Sequence, residues 1–350
     1  MTYKDRYDLI VIGSGPGGRR AAIQAAKFGK SVLVVERGKR VGGVSVHSGT
    51  IPSKTLRETS LNLSGWRERE FYGRSYRVKQ NITADDLKKR LHMTLDHEVE
   101  VLEHQFARNS VQTLHGMARF QDPYTLKVTL GDDEELVLSS DKFIIATGSQ
   151  PYRPEFIPFD GVSIFDSDEI LNMKRAPKSI AVIGGGVIGV EYATIFSALD
   201  IPVTLIESRE TILDFVDQEI IATLLHELRD RGVVLRLGTA IEKITRVKNG
   251  RCKITLKSGR LIRSDMVLFA AGRYGATGEL GLEDVGIVPD DRGRLSVDGK
   301  TFQTDVANIY AVGDIIGFPS LASTSMEQGR IAACHAFNQL GYAPPEFFPY

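Results

Sequence analysis

Three closely spaced glycines followed by an acid occur near the start of the chain, as Gly13, Gly15, Gly18 and Glu36. The same spacing recurs 171 positions later, at Gly184, Gly186, Gly189 and Glu207. In such a pattern the first glycine permits a tight turn, the second lets the backbone approach a pyrophosphate, and the third lets a helix pack closely on a strand. The acid, 23 residues after the first glycine, can accept hydrogen bonds from a ribose. Each copy therefore predicts a dinucleotide-binding site, and the agreement of the two copies disfavours a purely structural turn.

The residues around each glycine turn predict a repeated βαβ unit. An apolar strand leads into the turn, an alanine-rich helix follows, and a second apolar strand at residues 31–35 or 202–206 ends just before the acid. Short apolar runs that close at glycine follow the two copies, at residues 143–148 and 267–272. We therefore expect an α/β protein with two Rossmann-like, doubly wound dinucleotide-binding domains.

A long segment separates the first copy from its closing strand. Residues 83–86 resemble a helix cap, and apolar residues then recur at helical spacing, at Leu87, Leu91, Leu95, Val99, Leu102 and Phe106. We interpret this helical insertion as a packing element. Residues 125–130 and 135–139 predict a β-hairpin within a small β-meander. Residues 308–314 add a buried strand that ends in Gly-Asp, where the aspartate could bind a polyol or could simply lie in a turn.

Composition limits the classes of protein to which the chain can belong. The 44 Lys and Arg residues balance the 44 Asp and Glu residues, so no nucleic-acid or anionic-membrane partner is expected. No apolar run approaches the ~18 residues of a membrane span, and a cytoplasmic location is the prediction. Cys252 and Cys334 fit neither a Cys-x-x-Cys redox pair nor a zinc site, and we interpret both as core residues. The seven histidines show no metal-ligand spacing, so no metal site is predicted.

These motifs resemble those of the FAD-dependent pyridine nucleotide-disulfide oxidoreductase family over essentially the whole chain. The resemblance implies an FAD-binding domain in two parts, residues 1–150 and 273–350, with an NAD(P)-binding domain at residues 151–272 inserted between them. FAD is the expected cofactor, and NAD(H) and NADP(H) are the expected substrates. The expected FAD contacts are Gly13, Gly15, Gly18, Glu36, Thr50, Lys54, Thr147, Gly148, Gly313, Asp314 and Ala322. The expected NAD(P) contacts are Gly184, Gly186, Gly189, Glu207, Arg209 and Gly272.

The loop at residues 42–54 departs from the disulfide reductases of this family. Those enzymes have Gly-Gly-x-Cys-x-x-x-x-Cys-x-Pro-Ser-Lys, whereas Ser45 and Thr50 occupy the cysteine positions here. Neither hydroxyl can cycle between thiol and disulfide, so relay of electrons to a sulfur substrate is excluded at this loop. The resemblance identifies Lys54 with the lysine beside flavin N5 and Glu191 with its acidic partner as catalytic residues, while a surface salt bridge is the alternative for this pair. Hydride transfer between two nicotinamides through flavin needs placement and electrostatics more than an acid or base.

Residues 49–57, 321–323 and 327–330 are similar to those of one branch, the soluble pyridine nucleotide transhydrogenases. This likeness predicts a flavoprotein enzyme that passes hydride from NADPH through FAD to NAD+. Two alternatives stay open. One is an NAD(P)H:acceptor reductase of the diaphorase or dihydrolipoyl dehydrogenase type, and the other is a non-catalytic FAD-binding redox sensor.

Two further expectations concern nucleotide choice and assembly. Glu207 favours the 2′-hydroxyl of NAD, whereas Arg209 could meet the 2′-phosphate of NADP or could face solvent. Members of the family continue into a C-terminal dimerisation domain and form homodimers. We expect that domain to be absent here, since residues 344–350 resemble its entry.

Overall fold

The computed structural model describes residues 3–73, 75–247 and 250–339. The expected domain entry at residues 344–350 lies outside these ranges. The helices are α1 (Pro16–Lys27), α2 (Gly43–His47), α3 (Thr50–Ser64), α4 (Arg69–Tyr72), α5 (Ala84–Arg108), α6 (Val187–Ala198), α7 (Gln218–Asp230) and α8 (Ala322–Ala336). Over the described part of the chain, no helix is both long and apolar enough to cross a membrane.

The strands fall into two groups along the chain. The first group is β1 (Arg6–Ile12), β2 (Val32–Glu36), β3 (Gln112–His115), β4 (Met117–Asp122), β5 (Thr125–Thr129), β6 (Glu135–Ile145) and β7 (Ser149–Pro151). The second group is β8 (Ile164–Asp166), β9 (Ile180–Ile183), β10 (Val203–Ile206), β11 (Val234–Arg236), β12 (Ile241–Arg246), β13 (Cys252–Leu256), β14 (Leu261–Ser264), β15 (Met266–Phe269), β16 (Arg273–Gly275) and β17 (Ile309–Ala311).

The chain forms two compact units, each made of separate segments. The first unit takes the described residues of Met1–Thr50, Leu95–Gln150 and Arg273–Tyr350. The second unit takes the described residues of Ile51–Thr94 and Pro151–Gly272. Each unit contains one copy of the glycine motif, and the assignment of FAD and NAD(P) to particular domains stays a prediction.

A seven-stranded sheet forms the centre of the first unit, in the order β3-β2-β1-β6-β5-β4, with β17 also paired to β6. Strand β1 pairs in parallel with β2 and β6, and its residues Leu9, Ile10 and Val11 are fully buried. Parallel strands that are covered on both faces have continuous apolar sequences, which explains the lack of alternation in β1. Helices α1 and α8 approach so closely that a Cβ on Gly329 would lie 2.1 Å from the carbonyl oxygen of Gly17.

Strand β6 is longer than the sequence predicts. The predicted hairpin strand at residues 135–139 and the apolar run that begins at residue 143 form one continuous strand. The first half of β6 pairs antiparallel with β5, and the second half pairs in parallel with β1 and β17. The polar residues Ser140, Asp141 and Lys142 therefore lie within the strand instead of ending it. The predicted hairpin and β-meander are confirmed.

The predicted helical insertion is confirmed as α5. At its start the amide of Asp86 donates to Oγ1 of Thr83 at 3.3 Å, and the amide of Thr83 donates to Oδ2 of Asp86 at 2.9 Å. This reciprocal capping satisfies backbone donors that the first helical turn leaves unpaired. The predicted apolar stripe is buried except at Leu95, which is half-buried, so the stripe packs as expected.

A five-stranded parallel sheet forms the centre of the second unit, in the order β11-β10-β9-β15-β8. Strand β9 lies in the middle and is buried along its whole length, because β10 and β15 flank it in parallel. A separate antiparallel sheet, β12-β13-β14, packs its apolar residues around the buried Cys252. The parallel strands β3-β2-β1-β6 and β17 of the first sheet and the five parallel strands of the second, with their connecting helices, confirm the predicted α/β class with two Rossmann-like folds.

Candidate functional site

The first glycine turn connects β1 to α1 and excludes side chains at two of its glycines. Gly13 has φ +101°, and a Cβ there would lie 2.4 Å from the carbonyl oxygen of Ala146. A Cβ on Gly18 would lie 1.9 Å from the carbonyl oxygen of Gly13, so α1 packs directly on the turn. Glycine is therefore required at Gly13 by the backbone conformation and at Gly18 by the close approach.

The second glycine turn connects β9 to α6 and has the same geometry. Gly184 has φ +112°, and a Cβ there would lie 2.5 Å from the carbonyl oxygen of Ala270. A Cβ on Gly189 would lie 1.8 Å from the carbonyl oxygen of Gly184. The repeat found in the sequence is thus a repeat of structure, with matched distances at matched positions.

The middle glycine of each turn, in contrast, faces open space. Gly15 and Gly186 are the N-caps of α1 and α6, and a Cβ on either would meet no heavy atom within 4 Å. Neither helix has a side chain that caps its first turn. Uncapped N–H groups beside an open backbone are suited to bind phosphate oxygens. Both turns therefore fit the pyrophosphate of a dinucleotide.

Glu36 at the end of β2 is joined to the first turn by hydrogen bonds. Its Oε2 accepts from the amide and the hydroxyl of Ser14, and its Oε1 accepts from the amide of Gly38 at 2.7 Å. The hydroxyl of Ser14 in turn accepts from the amide of Gly42 at 2.8 Å. The predicted ribose acid is therefore held in a fixed position next to the glycine turn.

Glu207, the equivalent acid of the second copy, is almost completely buried. Its Oε2 accepts from the amide of Gly185 at 2.5 Å, and its Oε1 accepts from the hydroxyl of Ser208 at 3.1 Å. Arg209 donates from its amide and its Nε to Oε1 and from Nη2 to Oε2, at 2.9, 3.2 and 3.1 Å. Burial alone would raise the pKa of Glu207, but the hydrogen bonds from Arg209, Gly185 and Ser208 outweigh burial and lower the pKa to about 2.

The guanidinium of Arg209 lies between two carboxylates. Besides its bonds to Glu207, it forms an ion pair from Nη1 to Oδ1 of Asp214 at 2.6 Å. Hydrogen bonds to both acids raise the pKa of Arg209 above its ordinary value. Arg209 is therefore held beside the predicted ribose acid, and the alternative of a guanidinium that only faces solvent is disfavoured.

The residues predicted to line the rest of the FAD site include one with a buried hydroxyl that lacks a hydrogen-bond partner. Oγ1 of Thr147 is buried and has no hydrogen-bond partner among the described residues. A buried hydroxyl without a partner costs free energy, so a polar group of a ligand would stabilise it. The next residue, Gly148, has φ +69° and faces open space, so there is room for such a group. These two residues fit a bound polar cofactor.

Asp314 belongs to a chain of polar contacts at the end of β17. Its Oδ2 accepts from the hydroxyl of Ser149 at 2.8 Å, and that hydroxyl accepts from Nε of Arg273 at 2.9 Å. The amide of Gly313 donates to Oε1 of the buried Gln328 at 2.8 Å. The carboxylate of Asp314 is therefore oriented by its neighbours, as a polyol-binding acid requires, and does not lie in an unconstrained turn.

Two further predicted cofactor contacts lie at the ends of elements. Ala322 is the first residue of α8, which has no side-chain cap, so its first N–H groups resemble those of the glycine turns. Gly272 follows β15 with φ +123° and accepts a hydrogen bond from the amide of Tyr152 at 3.0 Å. A Cβ on Gly272 would meet nothing within 4 Å, so a ligand could approach its backbone.

Lys54 and Glu191 form an ion pair within the second unit. Nζ of Lys54 donates to Oε1 of Glu191, which joins the second turns of α3 and α6. The lysine side chain is 62% exposed, so the pair contributes little to folding stability. Thr50 is the residue at which α3 begins. The predicted pair is thus brought together, and its role toward flavin stays a prediction.

No described residue of the loop offers a thiol. The hydroxyl of Ser45 donates to the carbonyl oxygen of Gly42 at 3.2 Å, and Nε2 of His47 bonds to the carbonyl oxygen of Val41 at 2.9 Å. Cys252 and Cys334 are free, buried thiols, and burial raises the pKa of each. Their interpretation as core residues is confirmed, and a raised pKa keeps them unreactive.

The structure adds site residues that the sequence did not indicate. Ser14 links Glu36 to the loop, Ser149 links Asp314 to Arg273, and Asp214 holds Arg209. Only Ser14 gave a signal, because it lies inside the glycine motif. Among the described residues no group of three His, Cys, Asp or Glu side chains is placed to hold a metal ion.

Comparisons with known proteins agree with this geometry. A family model described as pyridine nucleotide-disulphide oxidoreductase matches residues 7–329. The soluble pyridine nucleotide transhydrogenase of Mycobacterium tuberculosis is 50% identical over 336 residues, which are 95% of this chain and 71% of that protein. The protein of the same name from Colwellia psychrerythraea is 42% identical over 327 residues, which are 93% of this chain and 70% of that protein.

Two solved structures are also similar to the chain. The Cu(II) complex of the HOCl-induced flavoprotein disulfide reductase RclA from Escherichia coli is 26% identical with a TM-score of 0.86, covering 97% of this chain and 73% of that chain. LpdA from Mycobacterium tuberculosis is 27% identical with a TM-score of 0.88, covering 98% of this chain and 74% of that chain. The matched family model spans both glycine turns and the loop that carries Lys54. The chain therefore belongs to the pyridine nucleotide-disulphide oxidoreductase family.

Proposed function

We propose that the protein is a flavoenzyme that transfers hydride from NADPH through FAD to NAD+, as a soluble pyridine nucleotide transhydrogenase. The relatives that are 42–50% identical carry that name. The observation that carries the proposal is the combination of two equivalent glycine turns with a loop that has Ser45 and Thr50 in place of a thiol pair. Such a chain can hold two dinucleotides but has no redox disulfide at the loop for passing electrons to a sulfur substrate.

FAD, when bound, would accept hydride from one nicotinamide and pass it to another. The first glycine turn would hold its pyrophosphate at the N-terminus of α1, since Gly15 leaves the backbone open there. Glu36 would accept hydrogen bonds from the adenosine ribose, and Thr147 would use its unpaired hydroxyl for a polar group of the cofactor. Asp314, held by Ser149, would accept from hydroxyls of the polyol chain.

Lys54 would stabilise negative charge that develops on the reduced ring, and Glu191 would orient the lysine. The ion pair fits this role because its contribution to stability is small while the bond to Glu191 orients Nζ. Glu191 lies in the second turn of α6, two residues after Gly189 of the second glycine motif. Both members of the pair therefore project from the second turn of a helix, within the second unit.

The second glycine turn would hold the nicotinamide nucleotides in alternation. The carboxylate of Glu207 suits the 2′-hydroxyl of NAD, and the guanidinium of Arg209 suits the 2′-phosphate of NADP. The bonds between Arg209 and Glu207 support this dual use, because a guanidinium next to the acid offsets repulsion of a phosphate. A homodimeric assembly and a cytoplasmic location stay predictions.

The test is NADPH-dependent reduction of thio-NAD by the purified chain with FAD and without a disulfide or quinone. We expect turnover, and we expect Lys54→Ala to slow flavin reduction by NADPH while FAD remains bound. Thr55→Ala, which alters the neighbouring residue of α3, serves as the matched control. Reduction of a dye or quinone without reduction of thio-NAD would contradict the proposal and favour an acceptor reductase. Bound FAD that neither nucleotide reduces would favour a non-catalytic sensor.

A further inference from the structure

The second unit contains a cavity of about 180 Å³ between α3, α6 and α7. Five apolar residues line it: Leu61, Ile195, Ala198, Leu224 and Leu228. Leu224 is half-buried and the other four are buried, so they form the inner surface of the cavity. An engineered cavity of about 150 Å³ with apolar walls accepts benzene, so this cavity has room for an apolar body of that size.

Polar side chains complete the lining and give it a net positive charge. Arg57 and Arg231 line the cavity from two sides of the helix group, together with Thr194 and the acidic Glu227. Arg57 shares the carboxylate of Glu58 with another arginine, Arg67, at 2.7 Å from each. One carboxylate therefore serves two guanidinium groups next to the cavity, and the cations are in excess.

Arg231 is held in place without an acidic partner. Its guanidinium lies over the ring of Trp66, 4.8 Å from the ring centroid, and Arg69 lies over the same ring at the same distance. Arg69 forms two hydrogen bonds to Asp200, whereas Arg231 forms no ion pair among the described residues. Stacking on an aromatic ring orders a guanidinium and leaves its N–H edge able to bind an anion. Arg231 is thus ordered before any ligand arrives, which lowers the entropy cost of binding.

We propose that this cavity binds a small amphipathic carboxylate, with an apolar body among the leucines and a carboxylate between Arg57 and Arg231. The apolar lining suits the body, and the two guanidinium groups suit the anionic end because charge-assisted bonds to a carboxylate are strong. The carboxylate of Glu227 would repel a second carboxylate on the ligand, so we expect a ligand with a single negative charge.

The cavity adjoins the helices that carry the proposed catalytic pair. Arg57 lies one helical turn after Lys54 in α3, and Thr194 lies about one turn after Glu191 in α6. A ligand in the cavity would contact both helices. The binding site itself does not depend on the proposed hydride transfer, and its test uses a binding signal instead of turnover.

Trp66 provides the signal, because it is the single tryptophan of the chain and Arg231 stacks on it. The full chain with FAD is titrated with hexanoate while the fluorescence of Trp66 is followed at constant ionic strength. Hexanamide tests the apolar body without the charge, and acetate tests the charge without the body. We expect a saturable change with hexanoate and a dissociation constant roughly ten- to hundredfold weaker for hexanamide. Equal binding of hexanoate and hexanamide, or no saturable change with hexanoate, would overturn the proposal.

Variants distinguish hexanoate binding in the cavity from non-specific effects of anions on the protein. Arg57→Gln is expected to weaken hexanoate binding about tenfold or more, and Glu227→Gln is expected to strengthen it. Arg229→Gln is the matched control, because Arg229 is exposed on α7 and does not line the cavity. Calorimetry measures hexanoate binding to Arg231→Gln, since that change alters the fluorescence of Trp66 directly. Equal loss of binding in Arg57→Gln and Arg229→Gln would assign the effect to general surface charge and refute the site.

Discussion

Replacement of Gly186 by alanine tests nucleotide binding at the second glycine turn without disturbing the fold. Gly186 has φ −78° and ψ −177°, which alanine adopts without strain, and the added Cβ would meet no atom within 4 Å. The variant should therefore fold at least as well as the original, with a gain of about 0.4–1 kcal/mol from the smaller entropy of the unfolded chain. If a pyrophosphate lies against this backbone, however, the methyl group occupies its place.

The expected loss of affinity follows from the contact that the methyl group displaces. One charge-assisted hydrogen bond between a backbone N–H and a phosphate contributes about 1.5–3 kcal/mol, which corresponds to roughly a 10- to 150-fold weaker dissociation constant. The neighbouring Gly189→Ala gives the opposite pattern, since its Cβ would lie 1.8 Å from the carbonyl oxygen of Gly184. Such overpacking costs about 1–3 kcal/mol and should lower the melting temperature.

The assay combines thermal unfolding with anaerobic titration of NADPH into the FAD-loaded protein. We expect Gly186→Ala to keep or slightly raise the melting temperature and to keep the FAD content, while NADPH binds at least tenfold more weakly. An unchanged NADPH affinity in a well-folded Gly186→Ala protein would refute the placement of the pyrophosphate at this turn. A lowered melting temperature would instead refute the claim that the position faces open space.

Three further predictions concern the first glycine turn, Arg209 and Glu207. Gly15→Ala should lower FAD content without loss of secondary structure by circular dichroism, whereas Gly278→Ala, also in open space, should leave the absorbance of bound FAD unchanged. Arg209→Ala should raise the Michaelis constant for NADPH more than that for NADH, and equal changes would contradict a phosphate contact. Glu207 has a folded-state pKa of about 2 against an ordinary 4.5, so its ionised form stabilises the fold above pH 4.5 and this contribution is lost as the pH falls toward 2. At pH 7 the free energy of unfolding of Glu207→Gln should therefore be lower than that of the unchanged protein by an amount on the order of 3 kcal/mol. Denaturant unfolding should show this difference shrinking as the pH falls, and a difference that does not change with pH would refute the assigned pKa shift.

The sequence predicted the repeated elements because their physical requirements are local. A glycine at a positive φ or under a carbonyl oxygen cannot be replaced without strain, so Gly13 and Gly184 mark the turns without knowledge of the fold. Buried parallel strands likewise require apolar runs, which placed β1 and β9 correctly.

Other features depend on partners that are distant in the chain. The continuity of β6 could not be predicted, because Ser140 and its polar neighbours look like a strand end until β1 and β17 supply pairing. The bond between Ser149 and Asp314 joins residues 165 positions apart. The ion pair between Arg209 and Asp214 lies within one loop, but the same guanidinium also bonds to the buried Glu207 at the end of β10. Pairings of this kind are set by tertiary packing and leave no spacing signal.

A single position distinguishes the acids of the two turns. The residue two places after the acid is Gly38 in the first copy and Arg209 in the second, and both amides donate to the carboxylate, at 2.7 and 2.9 Å. Both acids have donors on both oxygens when no nucleotide is present, but only Arg209 adds a guanidinium, so the buried Glu207 also has a positively charged partner. Departure of a nucleotide would then leave the buried charge of Glu207 beside a compensating charge, and release would avoid the free-energy cost of an isolated buried charge. A prosthetic group needs a long residence time, and an exchanging substrate needs a short one. The guanidinium beside Glu207, absent beside Glu36, would let the two copies of one fold meet these two needs.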